Sequence, residues 1–267
     1  MYPVLCDLDG VVWLAHRAIP GSAEAVGTLR AAGHRVLFVT NNSSARIADH
    51  EAALAAMGID ASGDVVSSAG AAALLVEPGE RVLAAASAGV VEALAARGAD
   101  VVPGSRATVD GPPLAAVDGE FDAVVVGWHR TFDFASLTLA STAVRKGARL
   151  IATNDDPTYP TPDGPIPGGG SILAAVETAA GRRAEIAGKP FDPMARLVRE
   201  MVGDGWSERA VMVGDRPSTD GRFARTLGCR YAHVWSGITM RGDSVDPVPD
   251  LVGDDLAAIA ELILTGG

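Results

Sequence analysis

The sequence predicts an α/β protein in which a parallel-sheet core is interrupted by a second, inserted α/β domain. Three observations carry this expectation. Short apolar runs alternate with helical patterns along the chain, a second set of elements with its own alternation begins near residue 81, and that set is punctuated by two turn-rich pieces, 103–114 and 155–170. The core is expected over 1–80 and 181–267, and the insertion over 81–180.

The elements follow in order. "PVLCD" (3–7) reads as a first strand, and a helix follows at about 22–32, with Ser22 as a candidate N-cap and Gly33 just past its end. "RVLFVT" (35–40) is a second strand, a helix near 44–57 closes at Gly58, and another covers roughly 69–76. In the insertion, "RVLAAAS" (81–87) is a strand, 88–97 a helix closed by Gly98, and "ADVV" (99–102) a strand. "DAVVVGW" (122–128) and "ARLIATN" (148–154) are strands flanking a helix at 133–146, opened by Asp133 and closed by Gly147. The piece 155–170 holds five prolines and four glycines in sixteen residues, too irregular for a mere connector, and a helix at 171–180 follows it. "AEIAGKP" (184–190) then resumes the core, leading to a helix at 193–202 with Asp192 as N-cap and Pro193 in its first turn. "RAVMVGD" (209–215), a helix at 217–227, "RYAHVW" (230–235) and a last helix at 254–264 complete it.

Composition excludes several functions. With 48% hydrophobic residues in 267 and a mean hydropathy of +0.21, the chain folds around a sizeable core. Its apolar runs, such as "AAALLV" (71–76), fall far short of the ~18 residues that span a bilayer, so no membrane association is expected. The N-terminus has no basic region or apolar stretch of the secretory kind, and two cysteines make no disulfide framework. A cytoplasmic location is expected. A net charge of −11 and a pI near 4.8 argue against nucleic acid as a partner. Only two basic residues, Lys146 and Lys189, are lysines, so each invites the question why arginine was not used.

Four strand ends carry chemistry-bearing residues. Asp7 ends the first strand, where open parallel sheets place their ligand crevice, and Asp9, two positions on, can face the same space. Two such carboxylates require a cation such as Mg²⁺ between them, or one of them protonated as a general acid; a simple turn capped by Asp9 is the third reading. "VTNNSS" (39–44) offers a hydroxyl and backbone amides at a helix start, suited to an anion or to ordinary capping. "GKP" (188–190) places Lys189 as a point charge fit for a phosphate or a carboxylate. "VMVGDRPSTD" (211–220) delivers Asp215 behind a buried strand and Asp220 in a first helical turn, where capping is an alternative for Asp220. Taken together, the set suits phosphoryl transfer to an aspartate.

In this order, D-x-D-G, T-N-N-S, G-K-P and G-D-x-x-x-T-D resemble the haloacid dehalogenase superfamily, and the long insertion after the threonine motif resembles its NagD and 4-nitrophenylphosphatase branch. The cap segments "VVVGWHRTFDF" (124–134) and "IATNDDPTYPTPDGPIPGGGSI" (151–172) fit that branch. The resemblance implies a doubly wound, Rossmann-like core with a smaller α/β cap, and a Mg²⁺-dependent phosphatase of small phosphorylated metabolites. It implies Asp7 as nucleophile, Asp9 as acid and base, and Mg²⁺ held by Asp7, the Asp9 carbonyl and Asp215 with Asp220 nearby. Thr40, Asn41 and Asn42 would hold phosphate oxygens, and Lys189 would bridge phosphate and nucleophile. Pro217 and Gly221 depart from the residues usual in relatives, so packing beside the metal is expected to differ. Substrate choice is expected in the cap, with Trp128, His129, Arg130 and Tyr159 as candidates. His129 could instead be a solvated surface residue, and Trp128 could pack the cap or form a homodimer contact through it. A phosphotransferase or mutase, and a non-catalytic phosphate-ligand binding protein, are the alternative functions.

Overall fold

The computed structural model describes residues 1–14, 17–106, 119–161 and 164–266; of the turn-rich piece 103–114, residues 107–114 lie outside the described residues. The chain divides into two compact units, the first comprising Met1–Thr40, Ile47–Val66 and Lys189–Gly267, the second Asn41–Arg46 and Ser67–Gly188.

The first unit is built on a six-stranded sheet in the order Leu251–Gly253, Arg230–Val234, Val211–Gly214, Val4–Cys6, Val36–Thr40, Val65–Ser67. Val4–Cys6 is central and pairs in parallel with both Val36–Thr40 and Val211–Gly214, so Cys6 stands between Phe38 and Val213. Strands covered on both faces read as unbroken apolar runs, and every residue of these three is buried. The helices Ser22–Ala31 and Leu256–Thr265 add Ala25, Val26, Leu29, Ile259, Ala260 and Ile263 to one core cluster. The strand order turns back at Val4–Cys6, which places a crevice at the carboxyl ends of the central strands.

The second unit carries a five-stranded parallel sheet in the order Glu185–Ile186, Arg149–Ala152, Ala123–Val126, Arg81–Ala85, Asp100–Pro103. Its core takes in Val124, Val126, Ala140, Val144, Leu173 and Val176 from the sheet and from the helices Phe134–Arg145 and Gly169–Ala180. The α/β class, with a parallel core and a second α/β sheet, is therefore the one expected.

Several expected details differ. Ser22 is the first helical residue rather than the cap, because its buried hydroxyl donates to Val12 O at 3.0 Å and Gly21 takes the cap position at φ 82°. Asp192 likewise lies inside its helix, Asp192–Val202, with Phe191 as the flanking residue. Asp133 caps as expected, accepting from Ser136 N at 2.8 Å. The strand at 185–186 does not rejoin the first sheet but pairs with Arg149–Ala152 of the second. The helix after Thr40 starts only at Ile47, and the one after Asp215 opens as a π-helical turn, Pro217–Gly221, before Arg222–Leu227. The short strands Val65–Ser67 and Leu251–Gly253, and the hairpins Trp13–Leu14/Arg17–Ala18 and Thr158–Thr161/Gly164–Pro167, were not expected; most are two to four residues long, too short to show a period.

Leu29 has no exposed surface, whereas Leu264 on the last helix is 40% exposed. Leu29→Ala is expected to cost about 2–5 kcal/mol and Leu264→Ala within roughly 0.5 kcal/mol of zero, read as shifts of the urea unfolding midpoint.

Candidate active site

The first unit gathers Asp7, Lys189, Asp215 and Asp220. Asp7 leaves the central strand with its N–H still donating to Val213 O at 2.9 Å, which fixes its backbone to the neighbouring strand. Its Oδ1 accepts from Leu8 N and from Lys189 Nζ, each at 2.8 Å. Lys189 Nζ also lies 2.8 Å from Asp220 Oδ1. Asp220 Oδ2 accepts from Arg216 N at 3.1 Å, so the π-helical turn folds back onto its own carboxylate. Asp215 Oδ2 accepts from Ile238 N at 2.5 Å. The strand-end expectation holds for Asp7, Thr40 and Asp215, which follow or end strands of one sheet. Lys189 instead arrives from a strand of the second sheet, and its buried ion pairs rather than its own strand hold it in place.

Charge accounts for the electrostatics. Lys189 is 1% exposed, and burial alone would lower its pKa; Asp220 and Asp7 outweigh that and hold it above its ordinary value. Burial pushes Asp7 well above the usual carboxylate range, with Lys189 opposing and Asp220 and Asp215 adding to the rise. Asp215 is raised to about 7, first by burial and then by Asp220, against the Ile238 N–H. One ammonium does not neutralise three carboxylates. Oxygens of Asp7, Asp215 and Asp220 lie within 4.8 Å of one another, so their all-oxygen donor set fits a hard divalent cation.

Glycines make the close approach possible. A Cβ at Gly10 (φ +87°) would lie 2.5 Å from Asp215 Cγ, one at Gly237 2.0 Å from Asp215 Oδ2, and one at Gly214 2.2 Å from Asp220 Cβ. Gly221, a departure noted in the sequence, has its own reason. A Cβ there would meet Pro247 Cδ at 2.9 Å and Tyr231 Cε1 at 3.0 Å, so Tyr231 and Pro247 take the space that a side chain would need.

Asp9 belongs to the same loop, and its Oδ1 accepts from Trp13 Nε1 at 3.1 Å. Thr40 is buried at the end of its strand. Asn41 and Asn42 belong to the second unit, and their side chains are engaged there. Asn41 Nδ2 donates to Asp156 Oδ2 at 2.9 Å, while Asn42 Oδ1 accepts from Ser44 N and Ser44 Oγ. The helix that follows starts at Ile47, so Thr40 is joined to it by a loop rather than opening it directly.

The cap candidates share one neighbourhood of the second unit. Trp128 stacks on Tyr159 with ring centroids 5.1 Å apart, donates Nε1–H to Pro167 O at 2.9 Å, and has the exposed Arg130 guanidinium 5.9 Å from its ring. His129 is not a solvated surface residue. It is 4% exposed, meets Phe132 edge-on and shares Nδ1 with Thr131 Oγ1 at 3.2 Å, and burial lowers its pKa to about 4, leaving a neutral ring. The segment 236–239 passed unnoticed in the sequence, although "SGIT" follows a strand of the same sheet as Asp7 and Asp215.

The haloacid dehalogenase-like hydrolase family matches residues 4–100, and a HAD-hydrolase-like family matches residues 186–259. The chain is 38% identical over 266 residues to the D-glycerol 3-phosphate phosphatase of Mycobacterium tuberculosis, covering 96% of this chain and 70% of that protein. The structure of glycerol phosphate phosphatase from M. tuberculosis in complex with magnesium superposes with a TM-score of 0.82 at 34% identity, over 97% of this chain and 77% of that one. A p-nitrophenyl phosphatase from Archaeoglobus fulgidus superposes with a TM-score of 0.85 at 27% identity, over 97% and 98%.

Without a cation, Asp215 holds its proton in the folded state up to about pH 7, while an unfolded chain releases it near the ordinary carboxylate value of 3.8. The folded state thus binds more protons between those values, and the metal-free protein loses this stability as pH rises from about 4 to about 7. A divalent cation needs the ionised carboxylates. The rise in melting temperature on adding MgCl₂ is therefore expected to be larger at pH 8 than at pH 5, by differential scanning fluorimetry. An equal rise at both values would remove Asp215 from the cation site.

Proposed function

We propose a mechanism from one premise: the chain belongs to the haloacid dehalogenase-like hydrolases and is a phosphatase of small phosphomonoesters. In this reading Asp7 attacks the phosphorus in line, the bond to the leaving oxygen breaks, and a phosphoaspartate forms on Asp7. Asp9 gives its proton to the leaving alkoxide and then takes one from the water that hydrolyses the acyl phosphate, which returns Asp7 as carboxylate. Trp13 Nε1–H orients the Asp9 carboxyl group. Thr40 holds a phosphate oxygen through its hydroxyl, with Asn41 and Asn42 beside it in the chain, and Lys189 offsets the charge of nucleophile and phosphate. Mg²⁺, held by the carboxylates of Asp7 and Asp215 and the Asp9 carbonyl with Asp220 in support, supplies the remaining positive charge. The observation that carries this reading is the buried Lys189 ammonium, 2.8 Å from both Asp7 and Asp220, in a cluster whose carboxylates still exceed it in charge.

We assign substrate discrimination to the second unit. The stacked pair Trp128 and Tyr159, the neutral His129 and the exposed Arg130 supply apolar surface, a hydrogen-bonding ring and a cation. Glycerol phosphate is the first substrate to test, because a relative spanning nearly the whole chain is named for it. Phosphoglycolate, sugar phosphates, nucleotide monophosphates and pyridoxal phosphate complete the panel. Phe134, 82% exposed where the helix Phe134–Arg145 begins, is the apolar side chain to which we assign a homodimer contact. Cys6 and Cys229 are both free and buried, in keeping with the cytoplasmic setting we infer. No helix among the described residues is long and apolar enough to cross a membrane.

Asp7→Asn is expected to abolish turnover of 4-nitrophenyl phosphate with Mg²⁺ while leaving the circular dichroism spectrum unchanged; near-normal activity would end the mechanism. Asp9→Asn is expected to slow phosphoenzyme formation by about 10²–10⁴-fold in single-turnover quench experiments. Replacing residues 128–130 is expected to reorder the metabolite panel while changing 4-nitrophenyl phosphate turnover less. The reverse outcome would place specificity elsewhere.

A further inference from the structure

Beyond the residues of the reaction, Asp215 is enclosed by the segment Ser236–Thr239, which follows the strand Arg230–Val234. Ile238 N donates to Asp215 Oδ2 at 2.5 Å, and Thr239 Oγ1 donates to Asp215 O at 2.6 Å. Ser236 Oγ donates to Gly10 O at 2.6 Å, on the loop that carries Asp7 and Asp9. Gly237 and Gly10 lie close enough to Asp215 that a Cβ on either would overlap its carboxylate. Ser236, Gly237 and Thr239 are only half-buried and Ile238 is 44% exposed, so the segment adds little to the core. Its polar groups go instead to one carboxylate and to the backbone of the nucleophile loop.

We propose that Ser236–Thr239 is a positioning clamp that sets the affinity of the cation site. Ser236 ties down the Gly10 carbonyl while Ile238 and Thr239 fix the carboxylate and backbone of Asp215, so the two sides of the site keep one spacing. The proposal rests on the reading of Asp215 as a metal ligand. Mg²⁺ demands near-octahedral geometry at about 2.0–2.1 Å, so a carboxylate that drifts by a few tenths of an ångström binds it poorly. Groups that orient a ligand are worth about 10–100-fold in metal affinity. The polar groups of the segment bond the Asp215 carboxylate, the Asp215 carbonyl and the Gly10 carbonyl, so the effect to measure is on cation binding.

The test is the double variant Ser236→Ala/Thr239→Val, which removes both hydroxyls at nearly constant shape. Isothermal titration of MgCl₂ into metal-stripped protein is expected to show affinity weakened by roughly 10–100-fold. KM for 4-nitrophenyl phosphate at saturating Mg²⁺ should stay unchanged, as should the melting temperature without metal. Thr239→Ser, which keeps the hydroxyl, should retain wild-type affinity. A folded double variant that binds Mg²⁺ within twofold of wild type overturns the clamp. So does an affinity loss accompanied by an equal loss in Thr239→Ser and a lower metal-free melting temperature, which marks a structural role. Should the double variant fail to fold, Ser236→Ala alone is held to the same criteria, with at least a threefold loss required. Asp215→Asn, titrated alongside, separates the two claims: wild-type affinity there would refute Asp215 as a ligand, whereas its loss with intact clamp variants would refute only the clamp.

Discussion

A lysine ammonium without access to water is the constraint around which this molecule is organised. Lys189 can be buried only because two carboxylates meet it, and removing one partner of such a group typically costs about 3–5 kcal/mol. The requirement acts on three distant segments at once. It fixes the end of the central strand at Asp7, the point where the chain re-enters the first unit at Lys189, and the π-helical turn that aims Asp220 inward. The pairing is deliberately incomplete in charge, since three carboxylates face one cation. Burial first, and the neighbouring carboxylates after it, hold Asp7 and Asp215 above their ordinary range, and the all-oxygen cluster is receptive to further positive charge.

The second constraint is space. Carboxylates can crowd around one point only if the backbone beside them carries no side chain. Gly10, Gly214 and Gly237 each stand where a Cβ would fall inside a carboxylate's van der Waals surface. Gly221 shows the same logic applied to packing: Tyr231 and Pro247 fill the place that a side chain at 221 would need. Tyr231 Oη in turn lies 2.8 Å from Nδ1 of the buried His233, so the filler is itself hydrogen-bonded.

Much of this was legible in the sequence, for physical reasons. Buried parallel strands must be continuous apolar runs, so Val4–Cys6, Val36–Thr40 and Val211–Gly214 could be read directly. Carboxylates at the ends of such strands are costly without a partner, so Asp7 and Asp215 declared themselves. What escaped was set by contacts across long distances. The pairing of Glu185–Ile186 depends on Arg149–Ala152, and two residues carry no pattern that tells one sheet from another. The hydrogen bond from Asn41 Nδ2 to Asp156 Oδ2 joins residues far apart in the chain, which no local pattern announces. Ser236 and Thr239 are ordinary turn residues until their partners, Gly10 and Asp215, are known. His129, plausible as a surface residue by composition, is placed inside by Phe132 and its neighbours.

The strand Val4–Cys6 occupies the middle of its sheet, and the partner on one of its sides, Val211–Gly214, lies far downstream of it, beyond the whole second unit. The second unit, by contrast, ends at Gly188 and has all its strands before that point. During synthesis the second unit can therefore close while the central strand still presents an open edge, and an open edge of apolar residues is where aggregation begins. Asp7, Lys189, Asp215 and Asp220 cannot meet until that edge is filled. A nascent chain stalled short of Val211 thus holds Asp7 and Lys189 without either of the carboxylates at 215 and 220.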